Sequence, residues 1–178
     1  LYAADRLQHH VRSATGNGSR TAYYLKCDLA NFFVAIDERV LFGQLARRID
    51  AAAEAWWLDL ARTVLFHDPR TDVVIQGDPA LLRRVPPHKS LFNAPADTGL
   101  PIGNLSSQFF ANVYLDELDQ FVKHQVRARH YVRYVDDLVL LHESTAWLSR
   151  AHARIDAFLP ERLNARLNPK KTVLQPVA

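Results

Sequence analysis

Apolar residues in this chain recur at two periods, and the switches between them mark its elements. A helix is predicted over residues 3–14, ending in the flexible Gly16-Asn17-Gly18-Ser19. Thr21 to Asp28 then reads as a strand whose last residue is acidic. Asp37 is a helix cap, with Leu41, Leu45 and Ile49 on one face of a helix over 37–49. Trp57, Leu60, Ala61, Val64 and Leu65 predict a second helix over 53–66, with its tryptophans in the core. Prolines at 69, 79, 86, 87 and 95 exclude a long regular element between His67 and Thr98. Beyond the turn-rich Gly99–Asn104, a helix is predicted over 105–123, capped by Asn104 or Ser106. Its apolar face comprises Leu105, Phe109, Phe110, Val113, Leu118, Phe121 and Val122.

Tyr131–Val135 and Leu138–Leu141 read as two strands joined by the two-residue turn Asp136-Asp137. Leu148, Ala151, Ile155, Phe158 and Leu159 mark a last helix, ended at Pro160 or soon after, before a turn and strand over 167–174. Distant strands backed by helices make an α+β fold. The strand ending at Asp28 is expected beside the hairpin, which gathers Asp28, Asp136 and Asp137 at one end of the sheet.

Composition narrows this picture only a little. With 178 residues, length alone calls for one domain, and 48% hydrophobic content describes a globular chain. No apolar run reaches the ~20 residues of a membrane span. Cys27 is the single cysteine, which excludes an internal disulfide or cysteine-based zinc site and fits a reducing, cytoplasmic setting. The net charge of +3 permits a polyanionic partner without requiring one. Methionine is absent, even at position 1, which suggests an excerpt of a longer protein.

The acidic turn carries the chemistry. A hairpin turn chosen for stability alone favours Asn-Gly or Asp-Gly. Adjacent carboxylates about 4 Å apart repel by ~1 kcal/mol in water and ~4 kcal/mol at a protein surface, a cost that a bound cation removes. Aspartates without nearby His or Cys are hard oxygen donors, suited to Mg²⁺ or Mn²⁺, and such clusters hold cation pairs for phosphoryl or nucleotidyl transfer. A solvated acidic patch is the plainer alternative.

Four motifs add to this. Tyr134-Val135-Asp136-Asp137 resembles the Tyr-x-Asp-Asp box of reverse transcriptases, and Lys26–Phe33 their first carboxylate motif. Gly99–Gln108 resembles their template- and nucleotide-contacting motif, and Leu167–Thr172 their lysine-bearing one. The resemblance implies a right-hand polymerase palm with part of the fingers over 1–178, the thumb and further fingers lying outside the chain. It implies two Mg²⁺ ions, with Mn²⁺ as the alternative, held by Asp28, Asp136, the Leu29 carbonyl and, less directly, Asp137. Lys171, or else Lys170, is then placed to protonate or neutralise departing pyrophosphate. Phe33 falls at the ribose gate, where a flat aromatic collides with a 2′-OH, the group that marks RNA precursors. Ile102, Gly103 and Gln108 fall beside the nucleotide and template base.

Ile102 and Ser107-Gln108 resemble the error-prone enzymes of diversity-generating retroelements, which work with a small basic accessory protein. The implied partners are an RNA template, a DNA or RNA primer and deoxynucleoside triphosphates, in a bacterial, archaeal or phage setting and without a membrane. The alternatives are an intron maturase, a defence-associated polymerase, or an idle palm that binds nucleic acid.

Overall fold

The computed structural model describes residues 2–177, which fall into two compact units, Leu1–Ala30 with Leu115–Ala178, and Asn31–Tyr114. The first unit is built on a four-stranded antiparallel sheet of β1 (Tyr23–Asp28), β2 (His130–Tyr134), β3 (Asp137–His142) and β4 (Val173–Pro176), in the order β2-β3-β1-β4. The strand before Asp28 therefore does pair with the hairpin, as its alternation predicts. Antiparallel partners share a face, so Leu25 opposite Leu140 and Cys27 opposite Leu138 form one apolar side, all four residues buried. Helix α7 (Thr145–Leu163) packs on β1 and β3 through a stripe of Leu148, Ala151, Ile155, Leu159 and Leu163. Truncating a residue such as Ile155, wholly buried, costs ~2–5 kcal/mol. Burial also pushes the Cys27 thiol up to about 11, which leaves it an inert core group.

Helix α1 (Tyr2–Thr15) covers part of the opposite face. Leu7, Val11 and Ala14 pack with Ala22, Tyr24, Val139 and Leu141. This cluster does not include Lys26, Asp28 or Asp137, the polar residues of that face.

One sequence expectation shifts in this unit. The hairpin turn is Val135-Asp136, and Asp137 is already the first residue of β3, paired with Tyr134. A run of β-branched and aromatic residues does not say which of them leaves the ladder. Val135 takes φ 55°, a conformation that costs a β-branched residue ~1–3 kcal/mol. Pro160 lies inside α7, which runs to Leu163 and closes on Asn164 at φ 49°.

The second unit holds α2 (Phe32–Ala35), α3 (Glu38–Ala46), α4 (Ala51–Leu65) and α5 (Pro79–Leu82). Helix α6 (Leu105–Gln120) begins here and continues into the first unit, ending in a π turn over Phe121–Gln125. Asp37 caps α3 as expected, its carboxylate accepting from the Arg39 and Val40 N–H groups, though the helix stops at Ala46 rather than Ile49. Two faces expected in the core are exposed: Trp56 (57%), Trp57 (46%), Leu60 and Val64 on α4, and Leu105 and Phe109 on α6. The tryptophans stack on each other instead, ring centroids 3.8 Å apart. Helical spacing gathers apolar residues on one side, but another element must cover them. Leu65 on α4 and Phe110, Tyr114, Leu115 and Leu118 on α6 are buried.

Candidate active site

The register of β1 against β3 sets Asp28 directly opposite Asp137. Two like charges facing each other across strands destabilise a sheet. Asp136 occupies the turn before Asp137, and its carbonyl accepts the Leu29 N–H at 3.3 Å, tying the turn to the end of β1. Asp28 is buried, while Asp136 and Asp137 are half-buried. Burial, then the charges of Asp28 and Asp137, raises the pKa of Asp136 above the ordinary carboxylate value. Three acids from two distant segments thus meet and feel one another.

Two lysines answer that charge. Lys171 Nζ lies 2.8 Å from Asp28 Oδ2, and Lys26 Nζ 3.2 Å from Asp137 Oδ1. The Asp28 hydrogen bond and charge raise the pKa of Lys171, which therefore stays protonated at neutral pH. Asn168 holds Asp28 from a third side: its backbone N–H donates to the Asp28 carbonyl at 2.8 Å and its Nδ2 to Oδ1 at 3.4 Å. Among the described residues no group of three His, Cys, Asp or Glu side chains is gathered to hold a metal ion. The carboxylates are turned to ammonium groups instead. The donor set still suits a hard divalent cation, being all oxygen with positive charge already drawn to two of the three acids. Leu29, whose carbonyl is the fourth expected ligand, is buried directly after Asp28 and tied to the turn through its N–H.

A part-buried network braces the turn. Asp119 accepts from Arg133 Nε and Nη2 at 3.0 and 2.8 Å and from the Tyr131 hydroxyl at 2.7 Å. Arg133 Nη1 donates to the Val135 carbonyl at 2.9 Å. The guanidinium therefore fixes the strained residue that precedes Asp136.

In the second unit, Gly99 N–H donates to the Ile36 carbonyl at 2.9 Å and Leu100 N–H to the Phe33 carbonyl at 2.8 Å. Phe33 and the start of the Gly99–Gln108 segment are thereby neighbours. Gly99 has φ 95°, and a Cβ there would meet Leu91 Cδ1 at 2.5 Å, so glycine is required. Phe33 is half-buried, in edge contact with Phe32. Ile102, Gly103 and Gln108 are exposed, Ile102 by 78%.

Residues 4–176 match the family described as reverse transcriptase (RNA-dependent DNA polymerase). The chain belongs to the reverse transcriptase family. Its mixed helical and antiparallel-sheet fold is similar to that of part of telomerase. A C-terminally truncated apo telomerase from Candida tropicalis superposes with a TM-score of 0.66 at 13% identity, over 98% of this chain and 34% of that one. Telomerase from the same yeast in complex with a TWJ fragment of telomeric RNA gives 0.65 at 12% identity, over 97% and 29%. Telomerase from Candida albicans, also with that RNA fragment, gives 0.57 at 14%, over 96% and 30%. The chain thus spans about a third of the length of these proteins, and the likeness is one of fold. No curated protein sequence matches it.

Sequence reasoning about this reverse transcriptase domain missed Lys26, Asn168, Asp119 and Arg133. Lys26 was legible, since a residue two before Asp28 in a strand shares its face. Asn168 finds its partner 140 residues away, and Asp119 reaches across a loop to Tyr131 and Arg133, so no helix or strand period shows them.

Proposed function

We propose that the chain carries the reaction centre of an RNA-templated DNA polymerase. Support comes chiefly from the Asp28–Asp137 cross-strand pair with Asp136 in the adjoining turn, an arrangement that a sheet tolerates only with compensating positive charge. In this reading Asp28, Asp136 and the Leu29 carbonyl hold divalent cations, two Mg²⁺ or alternatively Mn²⁺, with Asp137 a further carboxylate. Bound there, the cations supply Lewis acidity to the attacking hydroxyl and the leaving oxygen.

The chain's own residues do the rest. The primer 3′ hydroxyl loses its proton to water, and its oxygen bonds to the α-phosphorus of the incoming nucleotide as the bond to pyrophosphate breaks. Lys171, protonated at neutral pH, gives its proton to that leaving group or neutralises its charge. Phe33, at the ribose gate in this reading, is a flat aromatic that collides with a 2′-OH, so deoxynucleotides are selected. Ile102, Gly103 and Gln108 border the base pair being formed, with their exposed surfaces free to meet nucleic acid. Residues 1–178 act as palm with part of the fingers.

The finer reading is an enzyme of a diversity-generating retroelement, supported by Ile102 and Ser107-Gln108. An aliphatic side chain offers no hydrogen bond to the base pair, and loosened selection follows. A small basic accessory protein is the partner this predicts. The test is primer extension by the full-length protein on an RNA template with Mg²⁺, beside Asp136→Asn. Extension by wild type alone supports the polymerase; equal extension by both, or by neither, ends it. Product errors spread evenly over all four template bases would remove the subgroup.

A further inference from the structure

The other end of the same sheet carries a second, basic site. Strand β3 runs from Asp137 to His142, and five steps of ~3.3 Å separate its ends by ~17 Å. At the His142 end lies a cavity of about 210 Å³ lined by Arg20, Arg127, Arg129, His130, His142 and Trp147. All three arginines are exposed. Glu143 also lines it and lies 4.0 Å from Arg20, which leaves Arg127 and Arg129 without an ion-pair partner among the described residues.

The backbone holds these two arginines out. Ala128 between them is buried, and its N–H donates to the Val122 carbonyl at 3.0 Å. Arg127 sits at φ 60°, a left-handed conformation rarely adopted by arginine. Burial, then the charge of Arg129, lowers the pKa of His130, so that histidine adds no positive charge to the guanidinium groups at pH 7. His142 and Trp147 stack nearly parallel, ring centroids 4.5 Å apart at 13°. The cavity is smaller than the roughly 300–1,000 Å³ of an enclosed cofactor pocket, which suits part of a strand better than a whole ligand. Unpaired guanidinium groups beside stacked aromatics are the equipment of single-strand nucleic-acid binding. An acidic polypeptide would use the charge but not the aromatic stack.

We propose that this cavity binds single-stranded RNA, anchoring a segment of the template-bearing molecule away from the reaction centre. The choice of RNA rests on the polymerase reading above; the site itself does not. The probe is a fluorescent, unstructured 20-nucleotide RNA without primer, titrated by anisotropy against the full-length protein over a range of salt. Arg127→Ala/Arg129→Ala is expected to weaken binding ~10-fold and to reduce the log–log salt slope by ~1.4, at ~0.7 per lost phosphate contact. Trp147→Leu should weaken binding ~5-fold or more with the slope unchanged, as loss of base stacking requires. Arg127→Lys/Arg129→Lys keeps both charges and should keep the slope, which separates lost contacts from lost folding. Unchanged affinity and slope in the alanine pair would overturn the proposal. So would loss of binding to a poly-glutamate peptide with RNA binding intact, which points to an acidic protein partner. Asp136→Asn should bind the RNA like wild type, so failure of synthesis and failure of this site read out separately.

Discussion

The two ends of β3 carry opposite charge and handle it differently. At the Asp137 end, three acids are drawn together and two of them pair with Lys26 and Lys171, with Asn168 and the Arg133–Asp119 pair holding the frame. At the His142 end, two arginines stand exposed without a partner among the described residues. An acid pocket whose counter-charges are lysines can exchange them for a cation, because a compact ammonium on a flexible stem leaves readily. An arginine surface with no internal partner waits for an external anion. One strand thus separates a place for chemistry from a place for holding.

The largest effect that should sharpen this contrast is Asp28→Asn. DNA synthesis is expected to fall by ~10³-fold or more, as for loss of a group acting at the reacting atoms, with primer-free RNA binding unchanged. A parallel loss in both assays would erase the distinction between the ends. Next comes Arg133→Leu, which leaves the part-buried Asp119 with the Tyr131 hydroxyl alone and should cost ~2–3 kcal/mol in a denaturant titration, as for hydrogen bonds to a charged group. Arg133→Lys should keep most of that stability but free the Val135 carbonyl. Its kcat should drop while KM for the nucleotide holds, because the turn positions Asp136 without itself touching substrate.

A smaller effect is one of pH. His10 and His130 approach at 3.3 Å between Nδ1 atoms, joining α1 to β2. Burial lowers both pKa values, helped by their mutual charge at His10 and by Arg129 at His130, with His9, Arg6, Arg20 and His142 also nearby. The unfolded chain then takes up more protons than the folded one below the ordinary value of ~6.5. Stability is full above that pH and is lost as pH falls through the lowered folded values. Thermal melts from pH 7.5 to 5 should show that decline, and His10→Gln should flatten it. Smallest is Lys26→Ala. Its ion pair is largely exposed, so stability should move by less than ~1 kcal/mol, while Mn²⁺ should bind more tightly once the competing ammonium is gone.

Much of the acid end was legible in the sequence, because alternation names strands and Asp28, Asp136 and Asp137 sit at strand ends. The turn lay one residue earlier than the pattern suggests, since Val135 takes a backbone conformation that its side chain disfavours. Trp56 and Trp57 show the limit of helical period, which sorts residues onto a face and says nothing of what covers it. Helix α2, four residues long, has too little period to announce itself. The basic end was not seen at all. Arg20, the Arg127–Arg129 loop and Trp147 come from three places along the chain, and only the fold brings them to one cavity.

Uptake of divalent cations at the acid end is what separates a reaction centre from a braced acidic patch. Electron paramagnetic resonance of Mn²⁺ titrated into full-length protein, with primer–template and a non-hydrolysable deoxynucleotide, measures this directly. Two bound ions in wild type, and one or none at the same concentrations in Asp28→Asn, are the predicted result. Equal stoichiometry and affinity in the two proteins would contradict it.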